Sequence, residues 1–243
     1  MNVLAVDTST DASAVAVVRD GSLGAESAAV GRARHGEVLL ARIEQALEAA
    51  GIALSQVDLL AVGIGPGSFT GLRVGLATVK GLALSQGLPV VGVPSLRVLA
   101  LGLGAGGGRL VAPVVDAHHD EVFSAAYRVD GRGVAREVLP PFHALPEEVA
   151  GRLVQAAGGD GLVLCGGGAR RHAARMEAVL GEAASVAPAV WDVPRASLLA
   201  LEAAARHAQE GPSDLMGLEP LYVRPSDAKL PQSGGGGGAS AGA

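Results

Sequence analysis

The chain has 243 residues, 49% of them hydrophobic, which is enough for one large domain or two of about 100 residues each. Its 24 acidic and 19 basic residues give a net charge of −5. With only three Phe, two Tyr and one Trp beside that charge, it lacks the basic footprint and stacking platforms of a principal nucleic-acid-gripping surface.

The N-terminal apolar run meets Asp7 too early for a signal peptide, and no apolar run is long enough to span a membrane. The expected location is the cytoplasm. Val3–Thr8 and Ser13–Arg19 read as strands joined by a polar turn, and Asp20-Gly21 turns the chain into a third. Residues 36–50 read as a helix with Leu39, Leu40, Ile43, Ala46, Leu47 and Ala50 on one arc and Gly51 closing it.

A strand at 59–64 runs into Gly65-Pro-Gly-Ser-Phe-Thr-Gly-Leu-Arg73 and a helix over 70–86. Glycines at 71, 75 and 81 each cost about 1 kcal/mol relative to alanine in a helix interior. Leu72, Leu76, Val79 and Ala83 make one apolar face, and Arg73 and Lys80 are the only charges. A helix apolar nearly all round is expected to be covered on both sides, and glycines at 67, 71 and 75 would admit another backbone. The loop is not a Walker A sequence, because no Lys-Ser/Thr follows its last glycine.

A strand ending near Val93 follows, with Ser95 a candidate helix cap. Gly102-Leu-Gly-Ala-Gly-Gly-Gly108 breaks the composition, and a domain boundary is expected at 103–109. The pattern then restarts: a strand at 110–115 ending in Asp116, a strand at 122–128, a turn at Asp130-Gly131 and a third strand. A helix near 146–157, a strand at 162–165, a helix near 168–180 and a last helix around 195–210 complete it. Each half opens on an apolar strand ending in aspartate, so the expectation is two α/β domains with mixed sheets, 1–103 and 109–230. The last helix is a candidate to pack back on the first domain. The glycine-rich tail, 231–243, is expected to be disordered.

Several residues invite chemistry. Asp7-Thr8-Ser9-Thr10 stands where a hairpin could offer amides and hydroxyls to a phosphate, or is a polar hairpin only. Asp116 and Cys165-Gly166-Gly167-Gly168 are the matching candidates in the second half, glycine after a strand being also ordinary turn chemistry. Cys165, the only cysteine, has no sequence signature of an activating base. His118, His119, Asp120 and Glu121 look like a metal cluster, but successive strand residues point to opposite faces, and no metal is expected. Arg170, Arg171, His172 and Arg175 form the one compact basic group, read as a solvated helix face or a modest phosphate contact. The serine-hydrolase elbow G-x-S-x-G does not occur.

The glycine loop and its helix, together with Val3-Leu-Ala-Val-Asp7-Thr-Ser-Thr10, Val115-Asp-Ala-His-His-Asp-Glu-Val-Phe123 and Glu219-Pro-Leu-Tyr-Val-Arg-Pro225, resemble the TsaB (YeaZ) family in order and spacing. The likeness spans residues 1 to about 225. It implies two ribonuclease H-like domains of the actin/Hsp70/sugar-kinase (ASKHA) class. It also implies a non-catalytic partner of TsaD, which forms threonylcarbamoyladenosine next to the anticodon of tRNAs reading codons that begin with A. The ATPase TsaE would join the complex, and tRNA would be met indirectly.

Helices 36–50 and 70–86 would form the docking surface, through His35, Leu39, Phe69, Gly71, Arg73, Val74, Gly75 and Thr78. Two copies of the chain could pair the same way, making a homodimer when alone. TsaD is expected to bind metal through a histidine pair, and here His35 is followed at residue 39 by leucine. The family commonly has arginine at 118, glycine at 120 and tyrosine at 123, where this chain has histidine, aspartate and phenylalanine. No cofactor of its own is implied, and nucleotide would enter only in the assembled complex. The alternative reading is an ATP-dependent phosphotransferase or ATPase using Asp7–Thr10, Asp116, Gly166 and Gly167.

Overall fold

A computed structural model describes residues 1–31, 35–104 and 109–223, with the side chains of residues 35–37 excepted. The elements run β1 (Asn2–Asp7), β2 (Ala12–Arg19), β3 (Ser22–Val30), α1 (His35–Ala49), β4 (Leu59–Gly63), α2 (Phe69–Gln86), β5 (Val90–Val93) and α3 (Ser95–Gly102). The second half gives β6 (Leu110–Asp116), β7 (Val122–Val129), β8 (Ala135–Ala144), α4 (Pro146–Ala157), β9 (Leu162–Cys165), α5 (Gly167–Arg171), α6 (Ala173–Leu180), β10 (Ala184–Val186) and α7 (Ala196–Glu210).

The two halves repeat one topology. The first sheet has the order β3-β2-β1-β4-β5, and the second β8-β7-β6-β9-β10. In each, the first three strands form an antiparallel meander and the last two join parallel to the opening strand. The fold is therefore two mixed α/β sheets of ribonuclease H-like type, as the restart after residue 108 predicts.

Alternation along the strands decides what each face covers. Leu4, Val6, Val15, Val17, Leu60 and Val62 pack under α1 and α2, against Leu39, Ile43, Leu76 and Val79. Val3, Ala5, Ala14, Ala16 and Ala61 point the other way, and α7 lies on them through Ala196, Leu199, Ala200 and Ala203. With alanine on both sides, α7 can approach the sheet closely. The second sheet is covered by α4 and α6 on one face, through Val149, Leu153, Met176 and Leu180. Its other face, Val111, Val115, Ala125 and Tyr127, is covered by Leu96, Leu99 and Ala100 of α3.

The halves thus exchange helices: α3, from the first, covers the second sheet, and α7, from the second, covers the first. Glu202 of α7 fastens the exchange by accepting from Arg97 of α3 at 2.6 Å and from Arg206 at 2.9 Å. Of the expected boundary at 103–109, residues 105–108 lie outside the described residues, as does the tail 231–243.

Two expectations need correction. The helix near 168–180 is broken at His172, whose φ of −110° leaves the helical region and separates α5 from α6. Ser95 is not a cap. The N-cap of α3 is Pro94, and Ser95, the first helical residue, turns its hydroxyl to Asp7.

Candidate partner interface

The turn after β1 is built around a buried carboxylate. Asp7 Oδ1 accepts from the Ser9 amide at 2.8 Å and the Ser9 hydroxyl at 2.6 Å, and Oδ2 from the Ser95 hydroxyl at 2.8 Å. Ser95 in turn accepts from the Gly65 amide at 3.1 Å. Burial pushes the Asp7 carboxyl above the usual aspartate range, and the bonds from Ser9 and Ser95 only partly oppose it. A Cβ on Gly63 would stand 1.9 Å from Asp7 Oδ2, so the strand beside it must be bare there.

The glycines of the loop and of α2 receive this same turn. A Cβ at Gly67 would lie 2.0 Å from the Ser9 carbonyl oxygen, at Gly71 2.1 Å from that of Thr8, and at Gly75 2.2 Å from Thr8 Oγ1. Thr8 Oγ1 donates to the Gly71 carbonyl at 2.7 Å, and the Ser68 amide donates to Ser9 O at 2.7 Å. The backbone that approaches glycines 67, 71 and 75 is therefore the chain's own. Gly71 and Gly75 are buried against Thr8 and do not form an outward face, which corrects their assignment to a partner.

Leu39 is corrected too: it is fully buried in the core under α1, and its neighbour Leu40 is the one exposed. Val74 and Thr78 are half-buried, Val74 against the chain's own core. The His35 side chain lies outside the described residues. Phe69 and Arg73 are exposed, together with Ala77, Gly81 and Leu84. The outward face of α2 therefore lies one step round the helix from the glycine face, and it too carries small residues.

Residues 211–223 cross this region as a strap. The Ser213 amide donates to Val90 O and the Leu221 amide to Ile64 O, both at 2.8 Å, so the strap bonds to the edge strand β5 and the loop after β4. Leu218 packs over Gly92, where a Cβ would come within 2.7 Å. Lys80 Nζ donates to Met216 O at 3.2 Å. At its end the strap sets Tyr222 beside Phe69 and Arg73. Sequence reasoning saw residues 219–225 as a motif but had no signal for this placement, because the bonds join residues more than 100 positions apart.

The nucleotide-loop candidates are engaged with their own neighbours. Thr8 and Ser9 are buried in the contacts above, and Thr10 Oγ1 accepts from the Ala12 amide at 3.2 Å. Asp116 Oδ2 meets Arg171 Nη1 at 2.6 Å, and its Oδ1 lies 3.8 Å from His172 Nε2. The Gly166 amide donates to Asp192 Oδ1 at 2.8 Å, so the amide that would cradle a phosphate already holds a carboxylate. Gly166 and Gly168 press on the backbone of Val114 and Asp116, while Gly167 is exposed.

Cys165 is buried, and its thiol is pushed up by burial and by Asp192, which keeps it protonated. The basic group is neutralised: Arg170 pairs with Asp192, Arg171 with Asp116 and Arg175 with Glu147. His118, His119 and Asp120 do not lie in a strand. They form the β6–β7 turn with φ of 62°, 51° and 60°. That backbone favours glycine, and aspartate tolerates it better than most residues.

Residues 29–224 match the family model described as TsaD, tRNA N6-adenosine threonylcarbamoyltransferase. The chain is 36% identical over 159 residues to the tRNA threonylcarbamoyladenosine biosynthesis protein TsaB of Escherichia coli, covering 65% of this chain and 68% of that one. The chain belongs to the TsaB family.

The Bacillus subtilis TsaB protein is 29% identical over 230 residues, 94% of this chain and 96% of its own. Among solved structures, YeaZ from Pseudomonas aeruginosa superposes with a TM-score of 0.79 at 31% identity, over 91% of this chain and 99% of that one. Component A of the (R)-2-hydroxyglutaryl-CoA dehydratase of Acidaminococcus fermentans, at TM-score 0.50 and 15% identity over 86% of this chain and 99% of its own, shares the fold alone. The TsaB-family assignment and the transferase family model together make this chain a relative of TsaD as well. Among the described residues, no helix is long and apolar enough to cross a membrane.

Proposed function

We propose that the chain is a non-catalytic cytoplasmic subunit in the synthesis of threonylcarbamoyladenosine on tRNA, and that it binds and supports TsaD through the outward faces of α1 and α2. The observation that carries this reading is the layer those helices form on the first sheet. Its outside presents Leu40, Phe69 and Leu84, at 51%, 54% and 66% exposure, around the small residues Ala77 and Gly81. Exposed apolar side chains beside small ones suit close helix–helix packing.

The same geometry favours a supporting role over chemistry. Residue 39, where the second histidine of the metal pair would stand, is a leucine turned into the core. The acid, hydroxyls and amide that a phosphotransferase would use are held by Ser9, Ser95, Gly71 and Asp192. TsaE would act on the assembled pair, and tRNA would be gripped elsewhere, since the compact arginine group is neutralised. Nucleotide would bind only once the complex has formed.

The test is reconstitution. tRNA threonylcarbamoylation is measured with TsaD, TsaE, the threonylcarbamoyl-AMP synthase and ATP, with and without this chain. Modification that depends on the chain supports the reading, and modification indifferent to it refutes it. A nucleotide titration of the isolated chain addresses the phosphotransferase alternative, which requires tight binding.

A further inference from the structure

Seven arginines of the described chain, Arg97 of α3 and Arg206 of α7 among them, meet a carboxylate within 4 Å. Among the described residues Arg73 meets no carboxylate; it is held by neutral groups. Its guanidinium carbon lies 3.8 Å over the Phe69 ring centroid, and its Nε donates to the Tyr222 hydroxyl at 3.4 Å. The Phe69 and Tyr222 rings are 6.3 Å apart and tilted by 43°. Both rings are about half exposed, at 54% and 50%.

Three long side chains from opposite ends of the sequence are thus ordered on the surface, where their contacts leave much of their apolar area in water. Within the fold this is a poor use of two of only six aromatic residues. Arginine and tyrosine are the residue types that dominate interface hot spots, and side chains fixed beforehand lose less freedom on binding.

We propose that Tyr222 is a positioning residue, and that Phe69, Arg73 and Tyr222 together form the anchor of the docking face, taking an acidic side chain of the TsaD subunit. This rests on the docking role proposed above. The strap fixes Tyr222 through the Leu221–Ile64 bond, and Tyr222 and the Phe69 ring fix the guanidinium. The remaining N–H donors of its planar fork are left to meet a carboxylate in two-pronged fashion. Arg73 and Lys80 are the only charged residues of α2, so the part of the partner that meets α2 is electrostatically matched when acidic. Glu44 and Glu48 of α1 are exposed as well, which makes a second copy of this chain the competing occupant.

The test titrates the full chain into TsaD by calorimetry at low and high salt, with sedimentation of the chain alone run in parallel. Arg73→Gln and Phe69→Ala should weaken binding about tenfold or more, and Tyr222→Phe, which removes only the hydroxyl, about threefold. Arg73→Gln should also flatten the salt dependence, whereas Arg132→Gln, an equal charge loss in the β7–β8 turn, should not. Adding Tyr222→Phe to Arg73→Gln should cost little more, because the hydroxyl acts through the guanidinium. Melting temperatures should stay unchanged, since all three side chains sit at the surface. Wild-type binding that none of the variants alters overturns the anchor and leaves the docking role standing. Variants that abolish only self-association overturn it in favour of the second copy. A wild-type chain that does not bind TsaD overturns both.

Discussion

Thr8 and Gly71 are 63 residues apart in sequence, yet the Thr8 hydroxyl donates to the Gly71 carbonyl at 2.7 Å and the Thr8 carbonyl oxygen fills the space where a Cβ on residue 71 would stand. The first hairpin and α2 are in backbone contact, and glycine is the only residue that permits it. Gly71→Ala and Gly75→Ala should each destabilise the fold by about 1–3 kcal/mol through overpacking, despite alanine's better helix propensity. Urea denaturation gives the sign.

Gly81, on the same helix, should respond in the opposite way. Nothing lies within 4 Å of the position its Cβ would take. Gly81→Ala should stabilise the isolated chain by up to about 1 kcal/mol. If α2 packs closely on a partner there, the same variant should bind less tightly while melting at a higher temperature. Reading this one variant by both measurements separates the helix's own preference from its docking role.

Glu26 of β3 holds the start of α7. It accepts from Arg195 Nη2 at 2.6 Å, from the Ser197 hydroxyl at 2.9 Å and from the Ser197 amide at 3.0 Å. Burial pushes its carboxyl up, but the bonds from Arg195 and Ser197 outweigh this and hold it below the usual glutamate range. The stability it contributes is present above the unfolded-state value and is lost as pH falls through the lower folded-state value. Glu26→Gln should cost about 1–3 kcal/mol at neutral pH, its partial exposure keeping it from the larger figures of a sealed pair. The difference from wild type should shrink in acid, as denaturation at the two pH values would show.

Asp7 has the opposite sign. Its carboxyl binds a proton more tightly in the folded chain than in the unfolded one, because burial disfavours the charge. Its effect on stability is therefore most favourable in acid and falls as pH rises from the unfolded value of about 3.9 to the higher folded one. Asp7→Asn should remove that decline. Relative to wild type, the variant should gain stability as pH rises across this window, provided the asparagine Oδ1 still accepts from Ser9 and its Nδ2 donates to the Ser95 hydroxyl oxygen in place of the bond Oδ2 accepted. A series of thermal melts from acid to neutral pH measures the difference.

The duplicated strand plan was legible in the residues, since continuous apolar runs ending in Asp7 and Asp116, turns at Asp20-Gly21 and Asp130-Gly131, and helices with one apolar arc are local patterns. The family likeness was legible for the same reason, as it rests on contiguous motifs. Only the tertiary structure could say what meets the glycines of α2. A small residue in a helix announces a close approach but not whose backbone comes, and here Thr8 and Ser9 arrive from the far side of the first hairpin. Leu39 and Leu40 could not be separated by the helical arc alone, because both fall on its apolar side and only the seating of α1 on the first sheet decides which one is covered. The exchange of α3 and α7, and the meeting of Tyr222 with Arg73, depend on how two sheets and a strap are set in space. That arrangement is fixed by long-range packing and leaves no period in the sequence.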